Sequence, residues 1–181
     1  MSLSDAVARR RSHSKVTADA PTHEQLAPLV EAAASVADYG SLQPWRLIEI
    51  RDEARERVGA ALAEATGLEG PAAEKLAAKP LRAPLLIAVV AVHKPSFKVD
   101  EWEQDVTVAG VAHVLSLLLH DAGWGVMWRT GKQVRSEPVR AAHKLQPNEQ
   151  LFGWLYVGGM PDQTKPEKKK KLDIDSVLSQ L

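Results

Sequence analysis

The sequence predicts a mixed α+β layer fold, with helices packed on a small sheet. Three observations point there. Residues 84–92, PLLIAVVAV, are a continuous β-branched and aliphatic run that reads as a central strand covered on both faces. Residues 46–52, RLIEIRD, alternate: Leu47, Glu49 and Arg51 face one way, Ile48 and Ile50 the other, as in a half-buried strand. Val108, Val111, Ala112, Leu115, Leu118, Leu119 and Ala122 give a long helix a broad apolar face.

The remaining elements follow in order. Ser4 is placed to cap a first helix, DAVARRR, with Asp5 at its start and the arginines at its end, as the helix dipole prefers. Thr22 and Gln25 form a T-x-x-Q capping box. The helix it opens carries Leu26, Leu29, Val30, Ala33 and Ala37 on one face, and Gly40 is the stop signal. Asp52 is a candidate cap for a helix with Val58, Ala61, Leu62 and Ala65 in one stripe, broken by Gly67 and Gly70. PAAEKLAAK is a short helix ended by Pro80, and the polar segment HKPSFKVDEWEQD is a loop before the long helix, which Gly123 ends. GVMWRTG is a strand entering a turn, Ser136 caps a short helix with Pro138 in its first turn, and QLFGWLYVGGM is a last strand. The tail, LDIDSVLSQL at its end, is weakly amphipathic.

Composition narrows the function. The 181 residues suit one domain over 1–181. Lys plus Arg and Asp plus Glu balance at 23 each, so no broad positive surface is available for general nucleic-acid binding. The chain has no cysteine, which excludes disulfides, thiolate metal sites and cysteine nucleophiles. The longest apolar run is too short to span a bilayer and the N-terminus lacks a signal-peptide core, so a cytoplasmic protein is expected. There is no G-x-S-x-G elbow, P-loop, H-E-x-x-H or dinucleotide fingerprint. His113 and His120 lie two turns apart on one helix, but no carboxylate pattern beside them makes a metal site. With no nucleophile beside an obvious base, reactive chemistry would have to come from a cofactor.

The stretch VARRRSHSKVT, residues 7–17, sets Arg9, Arg10 and Arg11 against Ser12 and Ser14. Arginines at a helix end are commonly just solvated. The sharper reading is phosphate binding, because a guanidinium fork matches phosphate oxygens and a serine hydroxyl adds a short neutral donor. Arg129 beside Thr130 and Gly131 is a second basic element, and the lysine run 168–171 is a third.

Taken together, ARRRSHSKV, YGSLQPWRLIEIRD, HDAGWGVMWRTG and LFGWLYVGGMP, in this order from about Arg9 to Pro161, resemble the FMN-dependent nitroreductase family. The length, and Trp102-Glu103-Gln104 before the long helix, are similar to its compact NAD(P)H nitroreductase branch. The resemblance implies a three-layer α+β sandwich, with a mostly antiparallel central sheet flanked by helices. It implies a homodimer with two sites at the subunit interface and a C-terminal tail free to embrace the partner subunit. It also implies non-covalent FMN, reduced at N5 by NAD(P)H, which passes electrons to a nitroaromatic, quinone or related acceptor in a ping-pong cycle.

The same resemblance assigns residues. Arg10 would meet the FMN phosphate, and Arg11 and Ser12 would line that pocket. Ser14 stands where the family often has a basic residue near flavin N1 and O2. Tyr39 and Gly40 would approach the flavin from the partner, in a loop where Ala37-Asp38-Tyr39-Gly40 and Leu42 replace the Pro-Ser-Ser and asparagine of many relatives. Trp128, Arg129, Thr130 and Gly131 match the strand and turn that run past the flavin, with a backbone N–H near Thr130 or Gly131 facing N5 and Arg129 helping at the phosphate. Lys169 or Lys171 would be the last basic residue at the phosphate. Trp45 reads as a buried strand-start aromatic rather than a flavin contact. Two alternatives stand beside this reading: a specialised flavin reaction such as reductive dehalogenation or dehydrogenation, and a non-catalytic nucleic-acid-binding module. The zero net charge speaks against the second alternative.

Overall fold

A computed structural model describes residues 2–161 and 172–181. Helix α1 (Leu3–Arg9) opens on Ser2, not on the expected Ser4. Ser2 accepts from the Asp5 N–H while the Asp5 carboxylate accepts from the Ser2 N–H, a complete capping box. It also ends earlier than expected: Arg10 turns to φ −52°, ψ 132°, so Arg10, Arg11 and Ser12 lie outside the helix. Helix α2 (His23–Ala33) has the predicted Thr22/Gln25 box but stops well before Gly40. Ser35 donates its hydroxyl to the Ala32 carbonyl, competing with the helical ladder. Gly40 instead sits in a 3-10 turn, Tyr39–Ser41, at φ +79°.

Strand β1 (Trp45–Ile50) leads to α3 (Glu53–Glu64), α4 (Gly70–Ala77) and β2 (Leu85–Val92). Asp52 takes the cap position of α3 but makes no capping hydrogen bond. Helix α5 (Glu101–Asp121) begins inside the segment read as loop, because Asp100 and Glu103 form a capping box there. Strand β3 (Trp124–Arg129), helix α6 (Glu137–Ala142) and strand β4 (Glu149–Gly159) complete the order. Ser136 precedes α6 without capping it; its hydroxyl donates to the Gln133 carbonyl.

The sheet order is β1-β2-β4-β3, antiparallel throughout. Strand β2 is central and fully buried from Leu85 to Ala91, which is why its sequence shows no alternation. Leu85, Ile87, Val89 and Ala91 meet Leu26 and Ala33 of α2 and Val108, Val111, Ala112, Leu115 and Leu119 of α5. Leu86, Ala88 and Val90 meet Val58, Ala61 and Leu62 of α3 and Val139 of α6. Two apolar helical layers thus sandwich one sheet. Trp45 packs into the α5-side core, as expected of a strand-start aromatic. The tail residues Leu172, Ile174, Val177, Leu178 and Leu181 are exposed on the isolated chain.

Candidate functional site at the free edge of β3

After α1 the chain runs along the outer edge of β3. The His13 N–H donates to the Val126 carbonyl at 2.9 Å, Thr17 donates to Gly159, and Gly159 donates back to Asp19. The crossing is so close that two strand positions must lack a side chain. A Cβ on Gly125 would lie 2.8 Å from Val16 Cγ1, and one on Gly158 would lie 2.7 Å from Val16 Cγ2 and 2.8 Å from the Thr17 carbonyl oxygen. The glycines of GVMWRTG and VGGM are therefore the seat of the arginine–serine segment.

This seat positions the segment against the C-terminal end of α5. The His13 ring stacks on His120 with centroids 5.6 Å apart. Arg11 folds its guanidinium back onto the Ala8 and Arg10 carbonyls at 2.8 and 2.9 Å. Arg10 and Arg11 are half-buried, Ser12 and Ser14 are exposed, and neither Arg10 nor Arg11 forms an ion pair with a carboxylate among the described residues. His120 reports the resulting field. Burial lowers its pKa below the usual 6.5, and the positive charges of His13, Arg10, Arg9 and Arg11 lower it further. A strongly electropositive strip is thus built beside β3, suited to an anion.

The loop carrying Tyr39 and Gly40 lies elsewhere. The Asp38 carboxylate accepts from the Leu42 and Gln43 N–H groups at 3.2 and 2.6 Å, and Lys94 donates to the Leu42 carbonyl. Gly40 approaches Val99 so closely that a Cβ would come within 3.1 Å of it. Gln104, buried in α5, fixes this corner by bonding both the N–H and the carbonyl of Lys94 at 2.9 Å. Tyr39 therefore sits near the start of α5, whereas Arg10 and Arg11 sit near its end. Asp100 and His120 are twenty residues apart, about 30 Å of helix. One chain does not bring both groups to one ligand.

Trp128 and Arg129 point to opposite sheet faces. Trp128 meets the edge of His113 on α5 at 5.1 Å and donates its indole N–H to the Phe152 carbonyl. Arg129 lies over the Tyr156 ring at 5.2 Å on the α3 side. The structure therefore does not join Arg129 to Arg10 through any contact, because alternate residues of a strand face opposite ways. Thr130 and Gly131 are exposed, with the backbone accessible. Lys169 and Lys171 lie outside the described residues. His113 and His120, two turns apart on α5, each find a different aromatic partner, and among the described residues no cluster of three potential metal ligands exists. The sequence reading missed His13 as the ring that ties the arginine segment to His120. Its signal was indirect, the glycines at 125, 158 and 159 that mark a close crossing.

The chain is similar to known proteins over most of its length. The nitroreductase family model matches residues 7–159. The chain is 34% identical over 161 residues to "Putative NAD(P)H nitroreductase YdjA" of Escherichia coli strain K12, covering 87% of this chain and 88% of that protein. Among solved structures, a nitroreductase-like family protein from Bacillus cereus superposes with a TM-score of 0.88 at 20% identity, covering 100% and 96% of the two chains. The FMN and NADPH-dependent nitroreductase NfnB from Sphigopyxis sp. strain HMH superposes with a TM-score of 0.76 at 20% identity, covering 100% and 99%. A match running from the N-terminal arginines to the last strand includes both the sandwich and the segment laid along β3, and the chain belongs to the nitroreductase family.

Proposed function

We propose that this protein is an FMN-dependent NAD(P)H oxidoreductase that works as a homodimer. The observation that carries the reading is the electropositive strip beside β3, where Arg10 and Arg11 have no carboxylate partner among the described residues and cationic neighbours add to burial in lowering the pKa of His120. The donor set fits the cofactor: guanidinium groups and the Ser12 hydroxyl suit a phosphate dianion, and the Ser14 hydroxyl suits a carbonyl or ring nitrogen. The chemistry a bound flavin supplies is two-electron transfer from NAD(P)H to a nitroaromatic, quinone or related acceptor. The names of the E. coli relative and of NfnB point the same way for those proteins.

In this reading the chain's own residues do four things. Arg10, Arg11 and Ser12 hold the phosphate. A backbone N–H of Thr130 or Gly131 donates to the ring. Ser14 supplies a hydroxyl where a cation would stabilise developing negative charge more strongly, so reduction here is less favoured electrostatically than with a basic residue. Tyr39 and Gly40 come from the partner, since about 30 Å of helix keeps them from the same chain's arginines. The surface between copies is supplied by α5. It buries one broad apolar face in its own core, yet leaves Trp102 and Val106 about two-thirds exposed.

The test is an absorption spectrum of the purified protein, followed by anaerobic titration with NADH and NADPH. A yellow protein bleached by either and recoloured by a quinone or nitroaromatic supports the reading. A colourless protein that FMN does not reconstitute overturns it. Fast turnover of halogenated phenols with slow quinone reduction would move the assignment to reductive dehalogenation.

A further inference from the structure

Behind the turn Thr130–Gly131, on the α3 face of the sheet, lies a cleft of about 290 Å³. None of the residues of the arginine strip lines it. Leu62 of α3, Leu76 of α4, Met127, Val134 and the rings of Trp154 and Tyr156 line it with apolar surface. Three cations complete the wall: Lys79, Arg82 and Arg129. No aspartate or glutamate lines it.

That charge pattern is unusual for a structural cavity. Among the described residues, none of the three cations forms an ion pair or donates a side-chain hydrogen bond. Arg129 has only the Tyr156 ring beneath it, and its Nε is buried without an acceptor. An unpaired buried donor costs about 1–3 kcal/mol, and like charges around one cleft repel. Both penalties are relieved by an anion. The apolar floor adds a second demand, for a ring or short chain attached to that anion. The volume limits the whole ligand to about one ring plus its headgroup.

We propose that this cleft binds a small organic oxyanion, a carboxylate or phosphate ester carrying a single ring or short apolar chain, with Arg129, Arg82 and Lys79 taking the headgroup and Tyr156, Trp154 and Leu62 taking the body. The site does not depend on the flavin reading. It adjoins the Thr130–Gly131 turn, so occupancy bears on the backbone that the proposed function places at the ring.

The experiment is a fluorescence and calorimetric titration of the protein as purified, flavin bound if present, with benzoate, phenyl phosphate, inorganic phosphate and neutral benzyl alcohol. Trp154, whose ring lines the cleft on the α3 face, is the optical reporter. Saturable binding of benzoate or phenyl phosphate is expected. Inorganic phosphate should bind about tenfold more weakly for want of the apolar contact, and benzyl alcohol should give no saturation. Arg82→Gln should weaken binding about tenfold and Lys79→Gln severalfold, with flavin content and melting temperature unchanged because both side chains are exposed. No saturation by either organic anion overturns the proposal, as does binding indifferent to both substitutions. An equal response to benzyl alcohol shows an apolar void, and inorganic phosphate as tight as phenyl phosphate shows a bare anion site; either overturns it too. Loss of flavin in Arg82→Gln would give the cleft to the flavin site instead.

Discussion

His13 and His120 stack with an interplanar angle of 23°, and this pair joins the N-terminal arginine segment to the end of α5. The contact makes His120 a gauge of charge at the site. Its pKa lies below 6.5 in the flavin-free protein, through burial first and then the charges of His13, Arg10, Arg9 and Arg11. Titration followed by NMR should show this depressed value, and FMN or inorganic phosphate should raise it by offsetting the arginines. An unchanged His120 titration in flavin-loaded protein would place the phosphate elsewhere.

Gly158→Ala tests the seat of the arginine segment. The new methyl would meet Val16 at 2.7 Å and the Thr17 carbonyl oxygen at 2.8 Å, and backbone does not yield cheaply. A loss of about 1–3 kcal/mol is expected. Flavin content should fall further than that of an equally destabilised core variant such as Leu62→Ala, measured on matched samples.

Val106→Glu tests the interface. Val106 is 62% exposed on the isolated chain, so the substitution is harmless to the fold of one subunit. A buried carboxylate between two α5 helices is not harmless. Light scattering should report a monomer, and the flavin should be lost with the dimer. A variant that stays dimeric and yellow would exclude α5 as the shared surface.

Acid should destabilise the fold in two steps. His143 is 6% exposed; as the donors require, its Nδ1–H donates to the Val139 carbonyl and its Nε2 accepts from the Trp154 indole N–H. Burial lowers its pKa, so the unfolded chain takes up a proton before the native one does. Its contribution is full above about pH 6.5 and is lost as pH falls from there towards the folded pKa. His143→Phe should flatten stability between pH 7 and 5, while costing about 1–3 kcal/mol at pH 7 for the orphaned indole.

The second step belongs to Glu149. Arg46 grips it with two hydrogen bonds of 2.6 and 2.8 Å, and the Gln146 N–H adds a third at 2.9 Å. The Arg46 bonds chiefly lower its pKa below 4.5, so this stability is present above 4.5 and fades as pH drops below it. Glu149→Gln should cost about 1–2 kcal/mol at pH 7, at the low end for a buried pair because Arg46 is partly exposed. Urea titrations across pH 3–7 would separate the two steps.

The sequence by itself determined the layers and the identity of the central strand. A fully apolar run such as 84–92 has one stable home, between two apolar faces, and the 3.6-residue stripes of α2, α3 and α5 supply them. It also determined the residue types of the electropositive strip, because three arginines next to serines carry their chemistry with them. Helix ends were less legible: Ser2 and Ser4 are equally good caps locally, and only the Asp5 carboxylate closing on the Ser2 N–H chose between them. Tertiary structure alone decided which cations line one cleft. Arg129 and Trp128 are neighbours in sequence, but strand geometry sends them to opposite faces, so Arg129 joins Arg82 and Lys79 instead of Arg10. It likewise decided that Tyr39 and Arg10 serve different ends of α5, since the distance between two loops is set by the helix they flank and not by their separation along the chain.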